Sequence, residues 1–147
     1  LFRSKTILRL AREKDALNVI ADQWGAPTPA SLVAQATALA VNRLWQSKQG
    51  FSANADSTGL IGLFNLTASG ATNWYDYAKY LVSEANRRGH PTRLQAQHIH
   101  PVTTEAYGAK ASRPHNSRLD TSKFTAAFGI SLSTWQQAVD DVLEQLI

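Results

Sequence analysis

Between Trp74 and Arg88 the apolar residues fall at Trp74, Tyr77, Ala78, Leu81, Val82 and Ala85, the spacing that turns one face of an α-helix toward a core. Gly89 supplies its stop, since glycine readily adopts the left-handed conformation that ends helices. The same period predicts a helix over Phe2 to Lys14, through Ile7, Leu10 and Ala11. A long helix is expected from Pro29 to about Ser47, its face built from Leu32, Ala36, Leu39, Ala40 and Leu44. Near the end, Trp135, Ala138, Val139, Val142, Leu143 and Leu146 form the stripe of a helix over Ser133 to Leu146. Ser133 and Gln136 suit a capping box at its start. Asp120 to Phe128 reads as a short capped helix ending at Gly129.

Other stretches lack the helical period. Leu17 to Ile20 predicts a short strand, and Leu94 to Val102 an extended segment. Leu60 to Thr67 is dense in apolar residues, Leu60, Ile61, Leu63, Phe64 and Leu66, which predicts a strand buried on both faces of a parallel sheet. Asp22 to Pro29 reads as a loop, with Thr28 as N-cap and Pro29 at the first position of the long helix. Gln49 to Gly59 reads as a polar loop. With no repeat of 20 to 50 residues and no low-complexity stretch, the expected fold is α/β, a single helix-rich unit over 1–147 with a few short strands.

Composition narrows the function classes. A chain of 147 residues that is 44% hydrophobic can build one real core. Its 15 Lys and Arg against 11 Asp and Glu give +4, which favours anionic partners without separating a nucleic acid from a nucleotide. The absence of cysteine excludes a disulfide scaffold and thiolate metal sites and fits a reducing, cytoplasmic compartment. No apolar run approaches the ~20 residues of a membrane helix, so no membrane partner is expected. The absence of Met, with Leu1 opening what reads as a helix, points to a fragment or a processed chain.

Two loops carry the candidate chemistry. Ala111 to Lys123 holds Arg113, Pro114, Asn116, Ser117 and Arg118 ahead of a helix. Arginine offers a planar fork of donors that matches phosphate, and the step before proline keeps the backbone extended. Asn116 and Ser117 suit either a ligand or a turn, and Arg118 suits a structural pairing with Asp120 or a nearby carbonyl. In the second loop, Gly25, Pro27 and Thr28 can be explained as a turn and a cap. Gln23 and Trp24 are not needed for one, so they are candidates for a pocket wall, the indole offering a stacking face.

Taken together, Asp22-Gln23-Trp24-Gly25-Ala26-Pro27-Thr28, Leu63 to Gly70, Trp74 to Ala78 and Arg113-Pro114-His115-Asn116-Ser117-Arg118-Leu119 resemble the C-terminal half of dTDP-4-dehydrorhamnose reductases, members of the extended short-chain dehydrogenase/reductase superfamily. The resemblance implies the substrate-binding portion of an extended Rossmann-type enzyme. Such an enzyme reduces dTDP-4-dehydro-L-rhamnose to dTDP-L-rhamnose with NADPH, or NADH. It also implies that Arg113, Asn116, Gln23 and Trp24 bind a dTDP-linked deoxysugar. The cofactor and the catalytic Tyr-x-x-x-Lys pair would lie on an N-terminal half this chain does not show, so no catalytic or cofactor-binding residue is expected here and the chain alone should be inactive. Residues about 29–67 would pack with that half's sheet, and without it the Leu60 to Thr67 strand would be buried by self-association or rearrangement. Some members of the family carry Mg at a subunit contact; no residue here is matched to it.

Rival readings remain at this point. A non-catalytic interaction or regulatory module could keep the same architecture. Net charge together with Trp24, Trp45 and Trp74 raises a nucleic-acid binder, but these tryptophans fall at helix edges or apolar positions, and no nucleic-acid partner is expected. Tyr75 and Lys79 stand in Tyr-x-x-x-Lys spacing but downstream of where the family places its catalytic pair, and read as surface or packing residues. His98 and His100, with Glu105 nearby, lack a third ligand at fixed spacing and read as exposed strand histidines rather than a metal site. Asp140, Asp141 and Glu144 are the acidic residues the C-terminal helix offers to an ion such as the Mg of those family members, but they are not matched to it and read as a solvated helix face, on a helix open to an oligomer contact.

Overall fold

The computed structural model describes residues 2–48, 57–109 and 111–147. Helix α1 (Phe2–Glu13) leads into strand β1 (Leu17–Ile20), a two-residue strand β2 (Trp24–Gly25) and the long helix α2 (Ala30–Lys48). After a 3-10 turn at Ser57–Leu60 come β3 (Thr72–Asn73), α3 (Trp74–Arg87), β4 (Ile99–Val102), α4 (Thr104–Tyr107), α5 (Ser122–Phe128) and α6 (Trp135–Leu146). The expected helix-rich α/β fold with few short strands is what forms. Among the described residues, no helix is long and apolar enough to cross a membrane.

Helix α3 is the hub. Its stripe is broad enough to serve two clusters: Tyr77, Leu81 and Ala85 meet Leu8 of α1 and Trp135, Val139 and Leu143 of α6. Ala78 and Val82 meet Ala11, Leu94 and Ile99 on the other side. Leu81 and Val82 are fully buried, each burial stabilising by roughly 2 kcal/mol. Asn73 starts this helix, accepting from the Asp76 amide at 2.9 Å and donating to the Asp76 carboxylate at 2.8 Å.

Beneath α3, β1 and β4 pair in parallel, Leu17 opposite Ile99 and Ile20 opposite Val102. Part of the segment expected to be extended, Ala96–His98, is instead a 3-10 turn. His98 and His100 are exposed, and among the described residues no group of three or more His, Asp or Glu side chains is placed to hold a metal.

The predicted strand over Leu60 to Thr67 does not form. The run ends a 3-10 turn at Leu60 and continues without a ladder. Phe64 and Leu66 pack on Phe124 and Phe128 of α5 and Ala36 of α2, whereas Ile61 and Leu63 are 68% and 86% exposed. Apolar density thus stands for one packed face and one open face. Side chains hold the segment: Lys123 Nζ donates to the Leu63 carbonyl at 2.9 Å, and Asn65 Nδ2 to the Asp120 carbonyl at 3.0 Å. The polar loop expected over Gln49 to Gly59 falls mostly outside the described residues.

Three local expectations shift. Thr28 does not cap α2: its hydroxyl donates to the Ala26 carbonyl at 2.9 Å and accepts from the Ala68 amide at 3.0 Å, joining two loops. The C-terminal capping box sits one residue later, on Thr134 and Gln137. The Ser133 carbonyl is taken by the Ser69 amide, with the Trp135 amide returning a bond to the Ser69 carbonyl, so Thr134 becomes the cap. On α2, Leu32 and Ala36 are buried as expected, but Leu39 is 54% exposed, and Val41 and Trp45 also face outward.

Candidate functional site

The segment around β2 is the middle of three. On one side Trp24–Gly25 pairs antiparallel with Thr72–Asn73. On the other, the Trp24 amide donates to the His115 carbonyl and the Ser117 amide to the Trp24 carbonyl, both at 2.8 Å. These bonds bring the two loops of the sequence motif together at the start of α3 and enclose a cavity of about 260 Å³. Aromatic rings of Trp24, Trp74 and Tyr77 line it, together with Pro27 and Pro114, and Gln23, Asn73, Arg113 and Ser117 bring polar groups to it.

Among the described residues Arg113, like Arg12 and Arg43, lacks a partner, and of these three it is Arg113 that lines the cavity. Arg9, Arg87, Arg88 and Arg93 each have a carboxylate partner, and Arg118 is held by Asn116. Arg113 has no partner among the described residues, so its guanidinium is available to an anion. Trp24 is 40% exposed and presents an aromatic face. Trp74 meets Tyr77 edge to face, ring centroids 5.8 Å apart, and the Tyr77 hydroxyl lies 2.6 Å from Ser4 Oγ.

Gln23 is buried on the cavity wall, and its amide is committed to a scaffold. Gln23 Nε2 donates to Thr104 Oγ1 at 3.1 Å, and that hydroxyl donates to Asp22 Oδ1 at 2.7 Å. The Thr104 amide donates to Asp22 Oδ2 at 2.9 Å. This backbone bond, then the hydroxyl bond, holds the Asp22 carboxyl below its ordinary range. Asn116, the other candidate ligand contact, lies off the cavity wall. Its Oδ1 accepts from the Arg118 amide at 3.1 Å and from Arg118 Nε at 2.9 Å. Arg118 therefore pairs with Asn116, not with Asp120, which accepts from the Ser122 amide at 2.8 Å in front of α5.

Thr72, Asn73, Trp74 and Tyr77 are wall residues that sequence reasoning missed, since helical spacing assigns the two aromatics to the core. The available signal was Trp74 opening the helix, at the exposed end of its stripe. Lys79 Nζ lies 5.1 Å from the centre of the Tyr75 ring, a cation–π packing contact. Asp140 is not a freely solvated helix residue: its Oδ1 lies 2.8 Å from Arg88 Nη2, an ionic contact without hydrogen-bond alignment, and its Oδ2 accepts from the Tyr80 hydroxyl at 3.1 Å. Burial first, then this hydrogen bond, push the Tyr80 phenol up to about 12.

The RmlD substrate binding domain family matches residues 3–147. The chain is 43% identical over 143 residues to the dTDP-4-dehydrorhamnose reductase of Escherichia coli K12, covering 97% of this chain and 44% of that protein. It is 33% identical to the reductase of the same name from Burkholderia thailandensis, covering 97% and 46%. A spore coat polysaccharide biosynthesis protein, SpsK of Bacillus subtilis, is 30% identical, covering 96% and 41%. Two solved dTDP-4-dehydrorhamnose reductases share the fold at 24% identity. The one from Bacillus anthracis, in complex with NADP, matches with a TM-score of 0.71 over 97% of this chain and 42% of its own. The one from Clostridium acetobutylicum matches with 0.72 over 97% and 43%. The chain thus spans less than half the length of these relatives. With nearly every residue matched, this chain belongs to the RmlD substrate-binding-domain family.

Proposed function

We propose that this chain is the substrate-side portion of an NADPH-dependent reductase that converts dTDP-4-dehydro-L-rhamnose to dTDP-L-rhamnose. The observation that carries the reading is that Arg113, which has no partner among the described residues, and the exposed Trp24 line one aromatic cavity. In this account Arg113 holds the diphosphate, Trp24 offers a stacking surface to the base or sugar, and Gln23 shapes the wall. Binding there would orient the keto carbon and contribute proximity. The nicotinamide would supply hydride when bound. The turn after β1, Ala21 to Pro27, contains one glycine and directs the Asp22 carboxylate to Thr104. It does not suit a dinucleotide, so no step on this chain runs through that group. The open apolar side chains of residues 29–67 would pack with the remainder of the parent protein, which would supply the cofactor site and the proton donor.

Titration calorimetry with dTDP-glucose tests the site. Arg113→Ala is expected to weaken binding by about ten- to a hundredfold, the range for a charged hydrogen bond, while leaving thermal stability unchanged. Equal affinity in the two proteins would remove Arg113 from the site. Turnover of the keto sugar by this chain alone would overturn the division of labour.

A further inference from the structure

The loop that carries Arg113 is fastened to the rest of the site next to one titratable side chain. His115 Nδ1 lies 3.1 Å from the Asp22 carbonyl and 3.7 Å from Asp22 Oδ2. The backbone carbonyl of the same histidine closes the bridge to Trp24. Asp22 is itself anchored by two bonds from Thr104, so it offers a fixed counter-charge. The charged side chains of the segments meeting at His115 are Asp22, Glu105 of α4 beside Thr104, and Arg113, Arg118, Asp120 and Lys123 of its own loop. Among the described residues, only Asp22 forms an ion pair with the imidazole.

We propose that His115 is a positioning residue that fastens the Arg113 loop through Asp22, making anion capture at the cavity depend on pH. The inference rests on the reading of the cavity as an anion site. In either charge state Nδ1–H donates to the Asp22 carbonyl; the imidazolium adds attraction to the Asp22 carboxylate. The added hold is present while the ring is protonated and absent when it is neutral. Imidazoles change charge between about pH 5 and 8, where Asp22, held low by Thr104, stays ionised. The charge state of the ring therefore sets the strength of the fastening against a carboxylate that stays ionised.

Amide hydrogen exchange at Trp24 and Ser117 in the ligand-free chain, corrected for the intrinsic effect of pH, reads the bridge directly. In wild type, protection is expected to be about threefold greater at pH 5.5 than at pH 8, the scale of a part-exposed ion pair. His115→Gln, at an exposed position, should lose that difference while keeping its circular dichroism spectrum. Calorimetry with dTDP-glucose, whose phosphates keep a constant charge over this interval, should show the same fall in affinity with pH in wild type but not in the variant. Equal protection in wild type and variant at both pH values would overturn the proposal. Altered protection with no dTDP-glucose binding at any pH would uphold the fastening and reject the anion-site reading. A pH-dependent affinity with unchanged protection would make His115 a direct charge contact and overturn the positioning role.

Discussion

Asp22 meets its charge with Thr104 donors as well as water, its side chain being 28% exposed. Because Thr104 lowers its titration, Asp22 stabilises the fold above the unfolded carboxylate range and loses that contribution as pH falls through its lowered value. Asp22→Asn, which sets an amide against the Thr104 donors, is expected to melt below wild type at pH 7, with the gap closing below about pH 4. Parallel thermal melts across that range check both the sign and the interval. At this scale the sequence is legible in bringing Trp24 and Arg113 to one cavity wall, where a residue type exceeds local need. It is not legible where one side chain serves twice. Tyr77 is both core and cavity wall, and Asn116 has the chemistry of a ligand contact but spends its oxygen on Arg118.

Among the elements, α3 and α6 are readable because their stripes face partners within this chain. Leu81, fully buried where those helices meet, is expected to cost about 2–5 kcal/mol on replacement by Ala, measurable by urea unfolding. Thr134→Ala should cost about 1 kcal/mol through loss of the α6 cap, whereas Ser133→Ala should cost much less, which separates the observed box from the one expected a residue earlier. The box is displaced by the Ser69 bridge, a contact with a residue far away in sequence. Leu60 to Thr67 misleads for a related reason. Apolar density does not reveal whether a neighbouring strand exists, and among the described residues none lies beside this segment.

For the whole molecule, the outward Leu39, Val41, Trp45, Ile61 and Leu63 leave apolar surface in water, and such surface favours association. The 147-residue chain is expected to self-associate in light scattering, and Leu63→Asp to lower the weight-average mass without lowering the melting temperature. A monodisperse wild-type monomer would refute this.

The parallel pairing of β1 with β4 sets a schedule for synthesis. Leu17 and Ile99 are about 80 residues apart, and β1 cannot find its partner until α2 and α3 have been made. At roughly 5–20 residues per second, β1 waits about 4–16 s for β4, while α1 can coil at once. Closing so long a loop also makes this sheet a late, slow event compared with local helix formation. The β1 edge is therefore without its β4 partner for seconds during synthesis.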